Sequence, residues 1–140
     1  MALEHVRLHH HGVRIDPDRA DESIAFYRDV LGLEPDAARP SSPTFPGAWL
    51  DCDNDTQIHL LGARGTSPYA LGPDEDPAVP HVALAVPDIG DARDELDRVG
   101  VSYFAMAAGP TEQLFVRDPS GNMIELHQSG TCRCERSSRS

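Results

Sequence analysis

Apolar and polar positions alternate through "VRLHHHGVRI", residues 6 to 15, and the run carries Val and Ile, so it predicts a strand. The polar, proline-bearing "DPDRAD" after it predicts a turn. In "DESIAFYRDVLG" the period changes. Ile24, Tyr27, Val30 and Leu31 recur at helical spacing, with Asp21 as the expected N-cap and Gly32 as the stop. A weakly patterned strand separates this helix from "RPSSPTFPG", a loop interrupted by prolines. "AWLDCDNDTQIHLLG" predicts two short strands around an Asp-Asn-Asp turn. The stretch from Ala63 to Pro80, rich in Pro, Gly and acidic residues, reads as a linker.

The order then repeats. "HVALAV" predicts a strand, "PDIGD" a turn, and "DARDELDRVG" a helix with Ala92, Leu96 and Val99 on one face and Gly100 as its stop. "VSYFAM" and "EQLFVRD" predict strands joined by the turn "AAGP", and "DPSGN" turns the chain into a last strand, "MIELHQ". Each half is strand, helix, then strands, as expected of a duplicated module. A histidine opens each half, His11 and His81, and a Pro-Asp follows both at the same offset. The first module is expected at about 5–62, the linker at 63–80 and the second module at 81–128, with 129–140 a polar, disordered tail.

Composition narrows the function classes. Among 140 residues the formal net charge is −11, which argues against binding nucleic acid or an anionic membrane surface, both of which need a basic face. It leaves room for a small anionic ligand held by a local cation. No apolar run approaches the roughly 20 residues of a membrane span. "MALEHVRLHHH" lacks the apolar core of a secretion signal, so a cytoplasmic location is expected. Cys52, Cys132 and Cys134 suit a reducing compartment better than a disulfide framework. The C-x-C in the tail is too small a set for a zinc site.

Residues two apart on a strand share a face. His11, Val13 and Ile15 therefore share one, and His81, Ala83 and Ala85 another, where the small alanines leave room beside His81. The modules end in similar triplets, "IHL" at 58–60 and "IEL" at 124–126, which sets His59 opposite Glu125. A lone strand histidine is ordinarily structural. Metal-capable groups at equivalent positions of a repeat are a sound set of ligands for a divalent metal. Such a set leaves positions open for substrate or water.

The stretches "SIAFYRDVLGLEP", "FPGAWLDCDNDTQIHLLG", "HVALAVPDIGD" and "FVRDPSGNMIELHQ" resemble the vicinal oxygen chelate superfamily over residues 5–128. That superfamily includes glyoxalase I, methylmalonyl-CoA epimerase, fosfomycin-resistance proteins, extradiol dioxygenases and bleomycin-binding proteins. The resemblance implies an α+β fold of two repeated βαββ(β) modules whose sheets curl around a metal cleft. It implies one divalent ion, Zn, Ni, Mn, Co or Fe, on His11, His81 and Glu125, with His59 at the fourth position. The turn after His11 is one residue longer than is usual, so His10 is the alternative first ligand, and Asp16 stands where an apolar residue is common.

The implied chemistry is a metal that chelates two neighbouring oxygens of a small substrate and stabilises charge developing on them. A lyase or isomerase of the glyoxalase and epimerase type follows, with Glu125 and His59 as catalytic candidates and His127 as a further acid–base group. Relatives of glyoxalase I type carry a carboxylate where His59 stands, which sets this chain apart from them. An extradiol Fe(II) dioxygenase is the alternative. It is weakened by Phe115, which occupies the position of that group's tyrosine. A drug-binding resistance protein is the non-enzymatic alternative. Trp49, Tyr103, Gln113 and Phe115 are candidates for the cleft lining, with plain core packing the alternative for each, and the chain is expected to form a homodimer.

Overall fold

The computed structural model describes residues 2–107 and 112–130. Most of the "AAGP" turn, the Cys132–Cys134 pair and the tail beyond Gly130 lie outside the described residues. In chain order the elements are β1 (Arg7–Ile15), a 3-10 turn (Pro17–Arg19), α1 (Ala20–Ala25), a π turn (Phe26–Val30), β2 (Glu34–Pro35), β3 (Gly47–Asp51) and β4 (Gln57–Gly62). They continue with β5 (His81–Val86), α2 (Ile89–Val99), β6 (Tyr103–Ala107), β7 (Glu112–Arg117) and β8 (Met123–Gln128). The fold is α+β and repeats strand, helix, then three strands.

The chain divides into two compact units. One comprises Met1–His9 with His81–Ser140, the other His10–Pro80. In the second of these, β1 pairs parallel with β4, β4 antiparallel with β3, and β3 antiparallel with β2. In the first, β5 pairs parallel with β8, β8 antiparallel with β7, and β7 antiparallel with β6. The pairing pattern is the same in both.

Within the 10–80 unit, Ala48, Leu50 and Leu60 form a buried cluster with Val13, Ile15, Ile24, Tyr27, Leu33 and Ile58 packed against it. The helical segment opens earlier than Asp21. Asp16 caps it, its carboxylate accepting from the Asp18 N–H, and Pro17 sits where a missing N–H costs nothing. Asp16 also binds Arg64 at 2.5 Å, which accounts for a carboxylate at a position where an apolar residue is common. Gly32 closes the segment at φ +76°, a conformation that costs glycine little.

Residues 63–80, expected as a linker, are tied into this unit by one buried carboxylate. Asp76, 4% exposed, accepts from the Ser67 N–H and hydroxyl, the Ala78 N–H and the Arg14 guanidinium. A bridge pairs Gly72 with Glu75. The physical reason is local satisfaction: Asp76 gathers donors that a turn would otherwise leave to water.

In the other unit, Val86, Ala92, Leu96, Leu114 and Leu126 form the buried cluster under α2. Asp88 caps α2 by accepting from the Asp91 N–H, and Gly100 ends it in the left-handed region. Val99, expected on the buried face, is 51% exposed, and Ile89 packs against the cluster instead. No helix among the described residues is long and apolar enough to cross a membrane.

Candidate active-site residues

On the 81–130 sheet, the register sets His81 beside Met123, Ala83 beside Glu125 and Ala85 beside His127. These residues share one face. Leu84 and Leu126 share the other, which packs under α2. Ala83 and Ala85 are fully buried and leave the space above them to longer neighbours. His81 reaches across so that its Nε2 lies 3.2 Å from Glu125 Oε1, and both side chains are nearly withdrawn from water. A carboxylate buried beside an imidazole is costly unless the two share a proton or a cation.

Phe115 lies directly opposite Glu125 on β7 and stacks on Phe104, with ring centroids 4.9 Å apart. The two rings make an apolar wall beside the carboxylate. His127, 2% exposed, meets the His9 ring edge-on at 4.1 Å. Gln113 shares the face of Phe115, and its buried Oε1 finds no hydrogen-bond partner among the described residues. Tyr103, a candidate for this face, is on the other, as its core-packing alternative has it. It packs under α2 and donates its hydroxyl to Asp97 at 2.9 Å, because the pleat that brings Phe104 inward turns Tyr103 outward.

On the 10–80 sheet the register sets His10 beside Gln57 and Gly12 beside His59. His10 is 2% exposed, and its ring stacks on that of His59 at 3.6 Å. Trp49 covers the other side of His59, with centroids 5.2 Å apart. His59 Nε2 lies 2.8 Å from Gln57 Oε1, and Gln57 Nε2 donates to Asp36 and Asp51. His11 is exposed. It shares a face with Val13 and Ile15, and those two pack, with Ile24 and Tyr27 of the helical segment, against the Ala48, Leu50 and Leu60 cluster.

The registers identify the repeat equivalent of His81. His81 pairs two residues before Glu125, and His10 pairs two residues before His59. Gly12 then stands to His10 as Ala83 stands to His81. This was the signal available in the sequence, since a small residue two positions after the histidine leaves room for the opposite side chain. His10, His81 and Glu125 are all buried, and each offers one metal-capable atom.

Residues 7–126 match the Glyoxalase/Bleomycin resistance protein/Dioxygenase superfamily. The chain is 33% identical over 119 residues to a protein of Arabidopsis thaliana named Glyoxylase I 4, a match covering 82% of this chain and 64% of the plant protein. It thus spans less than two thirds of the length of that relative. It is 31% identical over 117 residues to a probable lactoylglutathione lyase of Vibrio parahaemolyticus, covering 78% and 82% of the two chains. Among solved structures, a hypothetical protein of Bacillus halodurans matches at a TM-score of 0.68 and 19% identity, covering 92% and 99%. Methylmalonyl-CoA epimerase of Mycobacterium tuberculosis matches at 0.67 and 22%, covering 88% of each chain. These likenesses carry the fold, which is that of the glyoxalase-like proteins.

Proposed function

Because the chain belongs to the Glyoxalase/Bleomycin resistance protein/Dioxygenase superfamily, we propose that it is a divalent-metal-dependent lyase or isomerase. It acts on a small substrate with adjacent oxygens and moves a proton beside a carbonyl. The observation that carries this reading is the buried contact of His81 Nε2 with Glu125 Oε1, set on rigid parallel strands above two alanines. Imidazole nitrogen with carboxylate oxygen is a donor set that fits a divalent first-row ion. Relatives named as lactoylglutathione lyases support the reaction class.

On this reading His10, His81 and Glu125 are the ligands, and His59, proposed as the fourth, stacks on His10 and lies outside that set of donors. His10 replaces His11 because it is the buried member of the pair and the register equivalent of His81. Held by these residues, a divalent ion would supply positive charge for a substrate oxygen. Glu125 takes and returns the substrate proton, while Phe115 and Phe104 exclude water beside it. His127, on the same face, is the second acid–base group. The chain is further proposed to be a cytoplasmic homodimer, which light scattering at micromolar concentration tests.

The test is metal analysis of protein purified without a nickel column, with assays for a lactoyl thioester of glutathione, for α-hydroxy-ketone isomerisation and for catechol opening. Stoichiometric metal in the wild type, lost in a folded His81→Ala variant, is expected. Oxygen uptake with a catechol and no isomerisation would replace this reading with the dioxygenase one.

A further inference from the structure

Gln57 is 3% exposed, and its amide is held at both ends. Its Nε2 donates to Asp36 Oδ2 at 3.0 Å and to Asp51 Oδ1 at 2.8 Å. Carboxylates at neutral pH only accept, so the NH2 group must face the two aspartates. A flipped amide would aim its oxygen at both of them. Asp36 is itself held in place, because its other oxygen accepts from the Ala38 N–H at 2.9 Å. With the nitrogen so placed, Gln57 Oε1 must face His59 Nε2, 2.8 Å away. An amide oxygen cannot donate, so His59 Nε2 carries the hydrogen of this bond.

We propose that Gln57 is a positioning residue that holds His59 as its Nε2–H tautomer, so that His59 meets a metal or a substrate proton through Nδ1. The consequence for metal or proton transfer rests on the reading above; the tautomer itself does not. His10 and Trp49 stack on opposite sides of the His59 ring and fix its plane. Gln57 fixes its rotation within that plane. The chain Asp36 and Asp51 to Gln57 to His59 thus settles plane, rotation and tautomer together, as the outer partner of a ligating histidine does in metal sites. Strand geometry places Gln57 for this task, since it stands two residues before His59 on the same face of β4.

The experiment is two-bond 1H–15N correlation spectroscopy on the metal-free protein, above the pH at which imidazoles protonate. The His59 signals are assigned by their loss in His59→Gln. Wild-type His59 is expected as the pure Nε2–H tautomer. In Gln57→Met, which keeps the length but removes the oxygen, that preference should be lost, and metal affinity should fall about 10–100-fold. An Nδ1–H signal in the wild type overturns the proposal without any variant, even if Gln57→Met fails to fold. So does an unchanged tautomer in a folded Gln57→Met. If the wild type binds no divalent metal but shows the Nε2–H tautomer, the metal reading fails and the positioning role stands.

Discussion

Asp76 is the perturbation whose effect the structure sets out most fully. Four donors converge on its carboxylate: the Ser67 N–H at 2.8 Å, the Ser67 hydroxyl at 2.5 Å, the Ala78 N–H at 2.9 Å and Arg14 Nη2 at 3.1 Å. Arg14 also donates from Nε to the Ala78 carbonyl at 2.9 Å, so one guanidinium clamps both ends of this short segment. Asp76→Ala leaves all four donors to find new partners. Each hydrogen bond to a charged group contributes about 1.5–3 kcal/mol, but bonds that share one acceptor do not add. Removing one partner of a buried pair costs about 3–5 kcal/mol. Arg14 keeps 23% of its side chain in water, which lowers that ceiling. We expect a loss of about 3 kcal/mol at neutral pH.

Urea unfolding followed by Trp49 fluorescence measures this directly, because the single tryptophan lies in the same unit. The pH dependence separates charge from packing. Burial alone would raise the Asp76 carboxyl. The bonds from Ser67 and Ala78 and the charge of Arg14 outweigh it and hold the group below its ordinary value of 3.8. A carboxyl depressed in the folded state adds stability above its unfolded value, and that stability is lost as pH falls through the folded one. The gap between wild type and Asp76→Ala should therefore be full at neutral pH and shrink below about pH 4. A gap under about 1 kcal/mol, the range of an exposed pair, would refute the account. So would a gap that stays constant into strong acid.

Three further outcomes follow from the geometry. At equal metal occupancy, Glu125→Gln should lose about 10²–10⁴-fold in turnover, and His59→Gln less, if Glu125 carries the proton; the reverse order would favour ring opening. Metal titration should find His10→Ala weakened strongly and His11→Ala unchanged, since only His10 is buried beside His59. A Cβ at Gly47 would fall on the Leu60 carbonyl oxygen, so Gly47→Ala should cost about 1–3 kcal/mol by urea unfolding.

Periodicity made most of the fold legible. The two-residue alternation of "HVALAV" and the helical spacing of Ala92 and Leu96 each survive in the structure, because one face of each element has to be buried. Val99 fails for a positional reason. It is the last residue of α2, followed at once by the Gly100 cap, and its side chain is left exposed there. Asp76 was hidden for a different one. In sequence it is one acid among several in a proline-rich stretch, and its meaning comes from Arg14, 62 residues away. No local pattern distinguishes an acid that will gather four donors from one that will face water.

His10 and His11 show how much one residue of register changes along a strand: His10 is buried and His11 exposed. Shifting a strand by one residue exchanges its faces, so every side chain assigned to one side moves to the other. Aligning the Pro-Asp turns of the two modules matches His11 to His81, and it assumes that both strands are followed by loops of one length. The register shows an extra residue between histidine and turn in the first module: Gly12 pairs with His59 as Ala83 pairs with Glu125, yet Pro17 lies five residues beyond Gly12 and Pro87 only four beyond Ala83. The apolar residues pointed the same way. Val13 and Ile15 are large and β-branched, as a face packed on a helix requires, whereas the face that holds His81 is lined by Ala83 and Ala85. Small residues line the face on which His81 and Glu125 stand, and on β1 the small residue is Gly12, which shares its face with His10.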